Sequence, residues 1–271
     1  MSINRCLPIV VVATLGTLGL GLPAGTSAQG APNSPPGIIY NSTGFEHFVV
    51  GHTLVGQDGW VQALPFLNPQ AAVVSKDPRQ AIRVRGGDLT SDFDDLDPYD
   101  AVGSYRRPLT DCFRCGPTGY DTIANGTPVV RIQAEVRLDG PLATSPDLFS
   151  ASIANRVIGG IALGELIVDA DGHVYGYTGN DPSGQEFPQA SAAIALGAWH
   201  HLTIELNFAT RTYAFFVDGG SIGGPFLFPD GVSTNVLARG SIVTYARPDG
   251  GAFARSNYVV HFDNFSVTPS E

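Results

Sequence analysis

Arg131, Gln133, Glu135 and Arg137 recur at every second position of the stretch TPVVRIQAEVRLD, with Val130, Ile132, Ala134, Val136 and Leu138 between them. A β-strand turns successive side chains to opposite faces, so this spacing puts four polar groups in one row and five apolar groups in another. A row of guanidinium, amide and carboxylate groups is where binding chemistry is to be sought. The same row also fits a solvent-facing strand whose opposite charges neighbour one another. Two tryptophans could stack on a sugar ring. Trp60 follows the turn Gly56-Gln-Asp-Gly59 and is the more open candidate, whereas Trp199 heads an apolar strand and reads as core. Large aromatics are mostly buried, which makes core the ordinary fate of both.

Two further clusters have reactive residue types. GGDLTSDFDDLDPYD places Asp88, Asp92, Asp94, Asp95, Asp97 and Asp100 in one segment. It reads as a second cation loop without EF-hand spacing, or as a solvated acidic loop with Arg106 and Arg107 as counter-charges. Cys112 and Cys115 (DCFRCGPTG) suit a local disulfide in an oxidising compartment. A zinc site needs two more ligands, and neither a second cysteine pair nor a His-x-x-x-His spacing is present.

The elements that must position these groups are strands. In WHHLTIELNFATRTYAFFVDG, Leu202, Ile204, Leu206 and Phe208 alternate with Thr203, Glu205 and Asn207. Ala209-Thr210-Arg211 then connects to a return strand in which Tyr213, Phe215 and Val217 alternate. Asp-Gly at 218–219 is a hairpin signal because Gly takes positive φ at little cost. A second hairpin turns at Asp169-Ala-Asp171-Gly172 between two alternating runs. AAVVS and AIRVR flank another turn, with Ile82 and Val84 inward and Arg83 and Arg85 outward. Phe45-Glu46 is expected to open the first strand. In the terminal run YVVHFDNFSVTP, Val259, His261, Asp263 and Phe265 alternate with Tyr258, Val260 and Phe262. The expected fold is all-β, a two-sheet antiparallel sandwich over residues 38–271.

Trp-His-x-Leu-x-Ile, Thr-x-x-Tyr and Phe-Val-Asp-Gly together resemble the central hairpin of the concanavalin A-like superfamily, including laminin-G-like domains. That resemblance implies a jelly roll, whose concave sheet bears the substrate cleft. It implies no single activity, since the fold hosts lectins, glycosidases, lyases and spacers. Gly-Phe-Glu with Gly-x-x-Gly-Trp at one end, and Phe-Asp-Asn-Phe-Ser-Val at the other, are similar to the ends of secreted carbohydrate-binding modules. There the first and last strands lie side by side and a structural calcium is often held near them. Carried over, Glu46 and Asp263 become candidate calcium ligands, the alternative being exposed strand-end carboxylates; carboxylates brought together repel unless a cation or an arginine lies between them. The laminarinase-like branch implies Glu-x-Asp-x-x-Glu or Glu-x-Asp-x-Glu, and neither is present. The alginate-lyase-like branch implies a Gln-x-His strand, which is absent although Arg131, Gln133, Arg137 and Tyr213 supply some of its residue types.

Composition narrows the setting. Arg5 precedes an apolar run from Ile9 to Leu22 and the small-residue stretch ending at Ala28, as in a secretory leader cleaved after Ala28. The apolar core is too short to span a membrane. QGAPNSPPG (29–37) reads as a flexible linker. The chain carries 15 Lys and Arg against 25 Asp and Glu, a net charge of −10. That balance disfavours nucleic acid, and it disfavours strongly anionic polysaccharides unless the arginines gather locally. The leader and the preference for Arg over Lys are bacterial in style. The expected function is a secreted, non-catalytic glycan- or matrix-binding module taking a polysaccharide or glycoprotein, in the medium, the periplasm or at the cell surface. A polysaccharide-degrading enzyme and a structural envelope protein without small ligand are the alternatives.

Overall fold

A computed structural model describes residues 38–62, 71–76, 79–85, 100–109, 115–116, 119–139, 149–169, 171–177, 190–246 and 259–270. The leader (1–28), the linker (29–37), the acidic run from Asp88 to Asp97 and Cys112 lie outside the described residues, and with Cys112 the proposed disulfide.

The strands among these residues are β1 (Tyr40–Asn41), β2 (Val61–Gln62), β3 (Ala71–Lys76), β4 (Arg79–Arg85), β5 (Asp100–Pro108), β6 (Cys115–Gly116), β7 (Gly119–Asp121), β8 (Val129–Asp139), β9 (Phe149–Val157), β10 (Glu165–Asp169), β11 (His173–Tyr177), β12 (Ala190–Ala193), β13 (His200–Asn207), β14 (Thr212–Val217), β15 (Gly220–Leu227), β16 (Val236–Ala246) and β17 (Val259–Pro269). They form two antiparallel sheets. The first runs β15-β14-β13-β8-β17-β4-β3, with β1 added beside β17. The second runs β12-β11-β10-β9-β16-β5-β2, with β6 and β7 added at β16. The chain is an all-β sandwich, and among the described residues no helix is long and apolar enough to cross a membrane.

Alternation decides which face of each strand is dry. On β8, Val130, Ile132, Ala134, Val136 and Leu138 are buried, and their partners Leu202, Ile204 and Leu206 on β13 are buried beside them. Burying a side chain of this size is worth about 1.5–3 kcal/mol, so a one-residue slip of register, which would expose the whole row, is strongly disfavoured. The two inner faces interlock through glycines. A Cβ at Gly176 on β11 would lie 2.3 Å from Phe215 of β14, and one at Gly240 on β16 would lie 2.6 Å from Phe265 of β17. The missing side chains are the notches into which these two buried rings fit.

Trp60 belongs to this core. It has no exposed surface, donates its Nε1–H to Tyr40 Oη at 2.9 Å, and packs edge-on against Tyr40 and Phe265. The expectation that Trp60 meets a ligand is therefore corrected. The turn before it aims the indole inward, where its single polar atom finds a partner.

Two other local expectations change. Phe45-Glu46 does not open a strand: Tyr40–Asn41 is the pairing segment, and Thr43–Phe45 forms a 3-10 turn. Ser42 N–H makes the last ladder bond, to Phe265 O at 2.9 Å, after which Phe45 N–H closes back on Ser42 O at 2.9 Å and carries the Phe45 ring into the core. The first and last strands nevertheless lie side by side, Tyr40 opposite Val267. In β17 the simple alternation also fails. A register shift between Asp263 and Ser266, with Asn264 at φ 48°, inserts one extra residue. Val260 and Phe262 face the core before this bulge and Phe265 and Val267 after it. Phe265 therefore leaves the face that holds His261 and Asp263.

Candidate functional site

The outer face of the first sheet collects the polar row of β8 and its neighbours. Cross-strand register sets Arg131 beside Glu205 on β13 and Thr268 on β17, Gln133 beside Thr203 and Ser266, Glu135 beside His201 and Asp263, and Arg137 beside His261. The four residues of β8 singled out by spacing thus share one face, and the sheet supplies each with partners from elsewhere in the chain.

Those partners mostly neutralise them. Arg131 holds Glu205 through Nε at 2.9 Å and through its terminal nitrogen at 2.8 Å. Arg79, at the start of β4, bonds Glu135 and also reaches Asp263 Oδ2 at 3.1 Å. Asn264 donates to Glu135 Oε2 at 3.1 Å, a contact that exists because the bulge turns Asn264 outward beside Asp263. Arg137 Nε donates to Asp139 Oδ1 at 2.7 Å, while Lys76 Nζ lies 2.7 Å and His261 Nδ1 3.1 Å from Asp139 Oδ2. The angles at Oδ2 and Nδ1 fall outside good hydrogen-bond geometry, so the Lys76 contact acts as charge pairing, while His261 lies beside the carboxylate as a neutral ring.

Burial and charge pull the titrations apart. Desolvation drives His261 down to about 4; the nearby Lys76 charge pushes the same way and Asp139 opposes it. The ring is therefore neutral at pH 7. Burial raises the Asp263 carboxyl, and Arg79 with the Asn264 amide only partly reverses this, leaving it above its ordinary value. Burial also works against the Asp139 charge, but Lys76 and Arg137 outweigh it and hold that group below the usual carboxylate value.

Glu46 and Asp263 are brought into one neighbourhood: a Cβ on Gly44 would lie 3.4 Å from Asp263 Oδ1 and 3.7 Å from Glu46 Cγ. Their oxygens are already engaged. Glu46 Oε1 accepts the Gln80 backbone N–H at 2.9 Å, and Asp263 accepts from Arg79 and from the Asn264 N–H at 2.7 Å. Among the described residues no group of three or more His, Cys, Asp or Glu is placed to hold a metal ion.

Trp199 is the aromatic that reaches this face, and the expectation that it is core is corrected. It is only partly buried, with the Arg79 guanidinium 5.1 Å from its ring centroid and His261 edge-on at 6.4 Å. The sequence held the signal. Leu202, Ile204 and Leu206 point inward, so Trp199 shares the outward parity of His201, Thr203 and Glu205. Its backbone is fixed from both sides: Gly197 N–H donates to Leu138 O at 2.8 Å, and His200 is clamped by Asp218 Oδ2 at 2.8 Å and Ala195 O at 3.0 Å. Beyond Trp199 a second row crosses the sheet, with Phe216 on β14 opposite Thr203, and Gln133 donating to Thr203 Oγ1 at 3.3 Å and meeting His201 Nε2 at 3.1 Å. Arg79, Asn264 and Phe216 escaped the sequence reading because only strand pairing brings them here.

No family model matches the chain, and no curated protein matches it. Solved structures similar to it include a sialidase (12% identity, TM-score 0.49, covering 86% of this chain and 19% of that one). A carbohydrate esterase from Shiga toxin-encoding bacteriophage phi24B has 14% identity and a TM-score of 0.49, covering 79% of this chain and 91% of that one. An alginate lyase from Aplysia kurodai has 11% identity and a TM-score of 0.46, covering 74% and 87%. These likenesses are too distant for any role or residue to be carried over.

Proposed function

We propose that this chain is a secreted, non-catalytic glycan-binding β-sandwich of the concanavalin A-like kind, and that the outer face of the first sheet is its binding surface. The observation that carries the reading is Trp199, a partly exposed indole on a polar sheet face, backed by a guanidinium and followed by planar hydrogen-bonding groups in Gln133, His201 and Asn264. Sugar rings offer an apolar face for stacking and hydroxyls for such groups, the combination expected of a ligand surface with a few well-placed polar atoms.

The carboxylates support binding over catalysis. A general acid must reach its substrate, and Asp263, the carboxyl with the raised pKa, has a side chain 1% exposed beneath Arg79. Glu135 is more open but is tied to Arg79 and Asn264. Arg79 also bears on the cation question: it meets the charge of Asp263, one of the two expected calcium ligands, together with that of Glu135. In this proposal arginine takes the role of the ion, and EDTA leaves binding unchanged.

Affinity electrophoresis of the mature protein through gels cast with individual polysaccharides, each with and without EDTA, tests the reading. Retardation by at least one polymer, lost in Trp199→Ala while the thermal melt is kept, is the expected result. No retardation across a broad neutral and acidic panel overturns it and leaves the structural-protein alternative. Release of reducing or unsaturated ends from any polymer overturns the non-catalytic part.

A further inference from the structure

Beside β1, and sharing no residue with the site on the outer face, there is a hollow of about 390 Å³. Ile38, Asn41, Thr43, His47 and Asp58 are among its lining residues, which include a carboxylate and no lysine or arginine. Its volume falls in the range of small-molecule sites, about 300–1,000 Å³.

The hydrogen positions around this hollow are dictated by what each partner can do. Trp60 Nε1–H can only donate, so Tyr40 Oη accepts it at 2.9 Å and gives its own proton onward to Asp58 Oδ2 at 2.8 Å. Trp60 and Tyr40 are buried, so the carboxylate is held by a chain of bonds rooted in the core. Thr43 Oγ1 lies 2.7 Å from Ser42 O, which can only accept, and the single hydroxyl proton goes there. His47 Nδ1, 3.0 Å from the same Oγ1, is then the donor, and Nε2 of the neutral ring is left as a lone pair. Phe48 packs edge-on against that ring at 4.5 Å and fixes its plane. His47 Nε2 and Asp58 Oδ2 thus stand 3.7 Å apart as two acceptors, on side chains 50% and 34% exposed. Thr43 and Asp58 both hold positive φ, at 50° and 44°, a conformation that persists only where the surroundings impose it.

Two acceptors at this spacing are bridged by one nitrogen that turns an N–H to each, at an ordinary hydrogen-bond distance of about 2.9 Å. A hydroxyl has one proton and satisfies only one of them. A metal ion needs more ligands, and among the described residues no third His, Cys, Asp or Glu joins the pair. The carboxylate and the net charge of −10 both favour a cation. Asn41 Oδ1 is taken by the Thr43 N–H at 2.7 Å, so its amide NH2 is what this residue offers a ligand hydroxyl. Ile38, 42% exposed, adds an apolar wall. From these directed acceptors we infer that the hollow binds an amino sugar, its ammonium between His47 Nε2 and Asp58, its ring against Ile38 and a hydroxyl on Asn41. The Thr43 hydroxyl is committed to Ser42 O and is no nucleophile, so the site binds without reacting. This site is separate from the glycan surface at Trp199 and does not depend on it.

The test follows the histidine ring nitrogens of the nitrogen-15-labelled mature protein by NMR at pH 7. The protein is titrated with D-glucosamine, N-acetyl-D-glucosamine, D-glucose or n-butylamine. Before any addition His47 should carry its proton on Nδ1, and the opposite tautomer overturns the argument. Glucosamine should shift Nε2 saturably, with an apparent affinity at least tenfold above glucose and N-acetylglucosamine, and at least tenfold weaker in Asp58→Asn. The comparison of ligands needs no variant, so it stands even if the substitution disturbs folding. An equal response to glucose or to N-acetylglucosamine overturns the ammonium, and an equal response to butylamine overturns the sugar ring. Shifts at Trp199 and His201 without His47 move the amine to the outer face of the first sheet and overturn this site, while the glycan reading stands. No response of His47 to any of the four ligands overturns the inference and leaves the Trp199 surface to its own test.

Discussion

Acid should weaken this fold through one residue, His261, over a defined pH window. The ring lies on β17 with a side chain 5% exposed, beside Trp199, and faces Asp139, Lys76, Arg137 and Arg83. Burial, seconded by Lys76, lowers its pKa from 6.5 to about 4. Between those two values the unfolded chain binds a proton that the folded ring refuses, so unfolding takes up a proton and falling pH favours it. The contribution is fully present above pH 6.5 and is lost as the pH falls toward 4. At about 1.4 kcal/mol per pH unit, the loss attributable to His261 is about 2.5 kcal/mol by pH 4.5. Asp139, held below the ordinary carboxylate value, adds its loss only at lower pH, while Asp263, raised above that value, gives a gain as acid approaches. The assay is urea unfolding at pH 7.5, 6.5, 5.5 and 4.5 for the wild type and His261→Asn. The variant starts less stable but should lose about 2.5 kcal/mol less than the wild type across the series. Parallel pH slopes in the two proteins, or a His261 ring signal titrating near 6.5, refute the argument.

Other perturbations follow from the same geometry. Gly176→Ala drives a methyl into Phe215 and should cost about 1–3 kcal/mol in urea unfolding, with Phe215→Leu restoring part of it. Arg79→Ala leaves the Asp263 carboxylate without its guanidinium and should cost about 1–3 kcal/mol, reduced from the fully buried case because Arg79 is partly solvated; adding Asp263→Asn should recover stability if the charge is the cause. Trp60→Phe forfeits the bond to Tyr40 and should lower the melting temperature with no effect on polysaccharide retardation, the reverse of Trp199→Ala, and matching effects of the two would contradict the assignment of one to the core and the other to the surface.

The sequence by itself determined what depends on neighbours along one strand. Alternation placed Val130 to Leu138 and Leu202 to Leu206 in the core and Arg131 to Arg137 outside, and the hairpins at 209–211 and 169–172 followed from their turn residues, because strand period and turn chemistry are local properties. It misplaced Phe265 because a bulge is one extra residue that alternation cannot register, and it misassigned Trp60 because a turn does not state which way the next ring points. Tertiary structure decided the site. Arg79, Glu135 and Asp263 lie 56 and 184 positions apart as Arg79–Glu135 and Arg79–Asp263 pairs, and only the order β13-β8-β17-β4 brings them into contact.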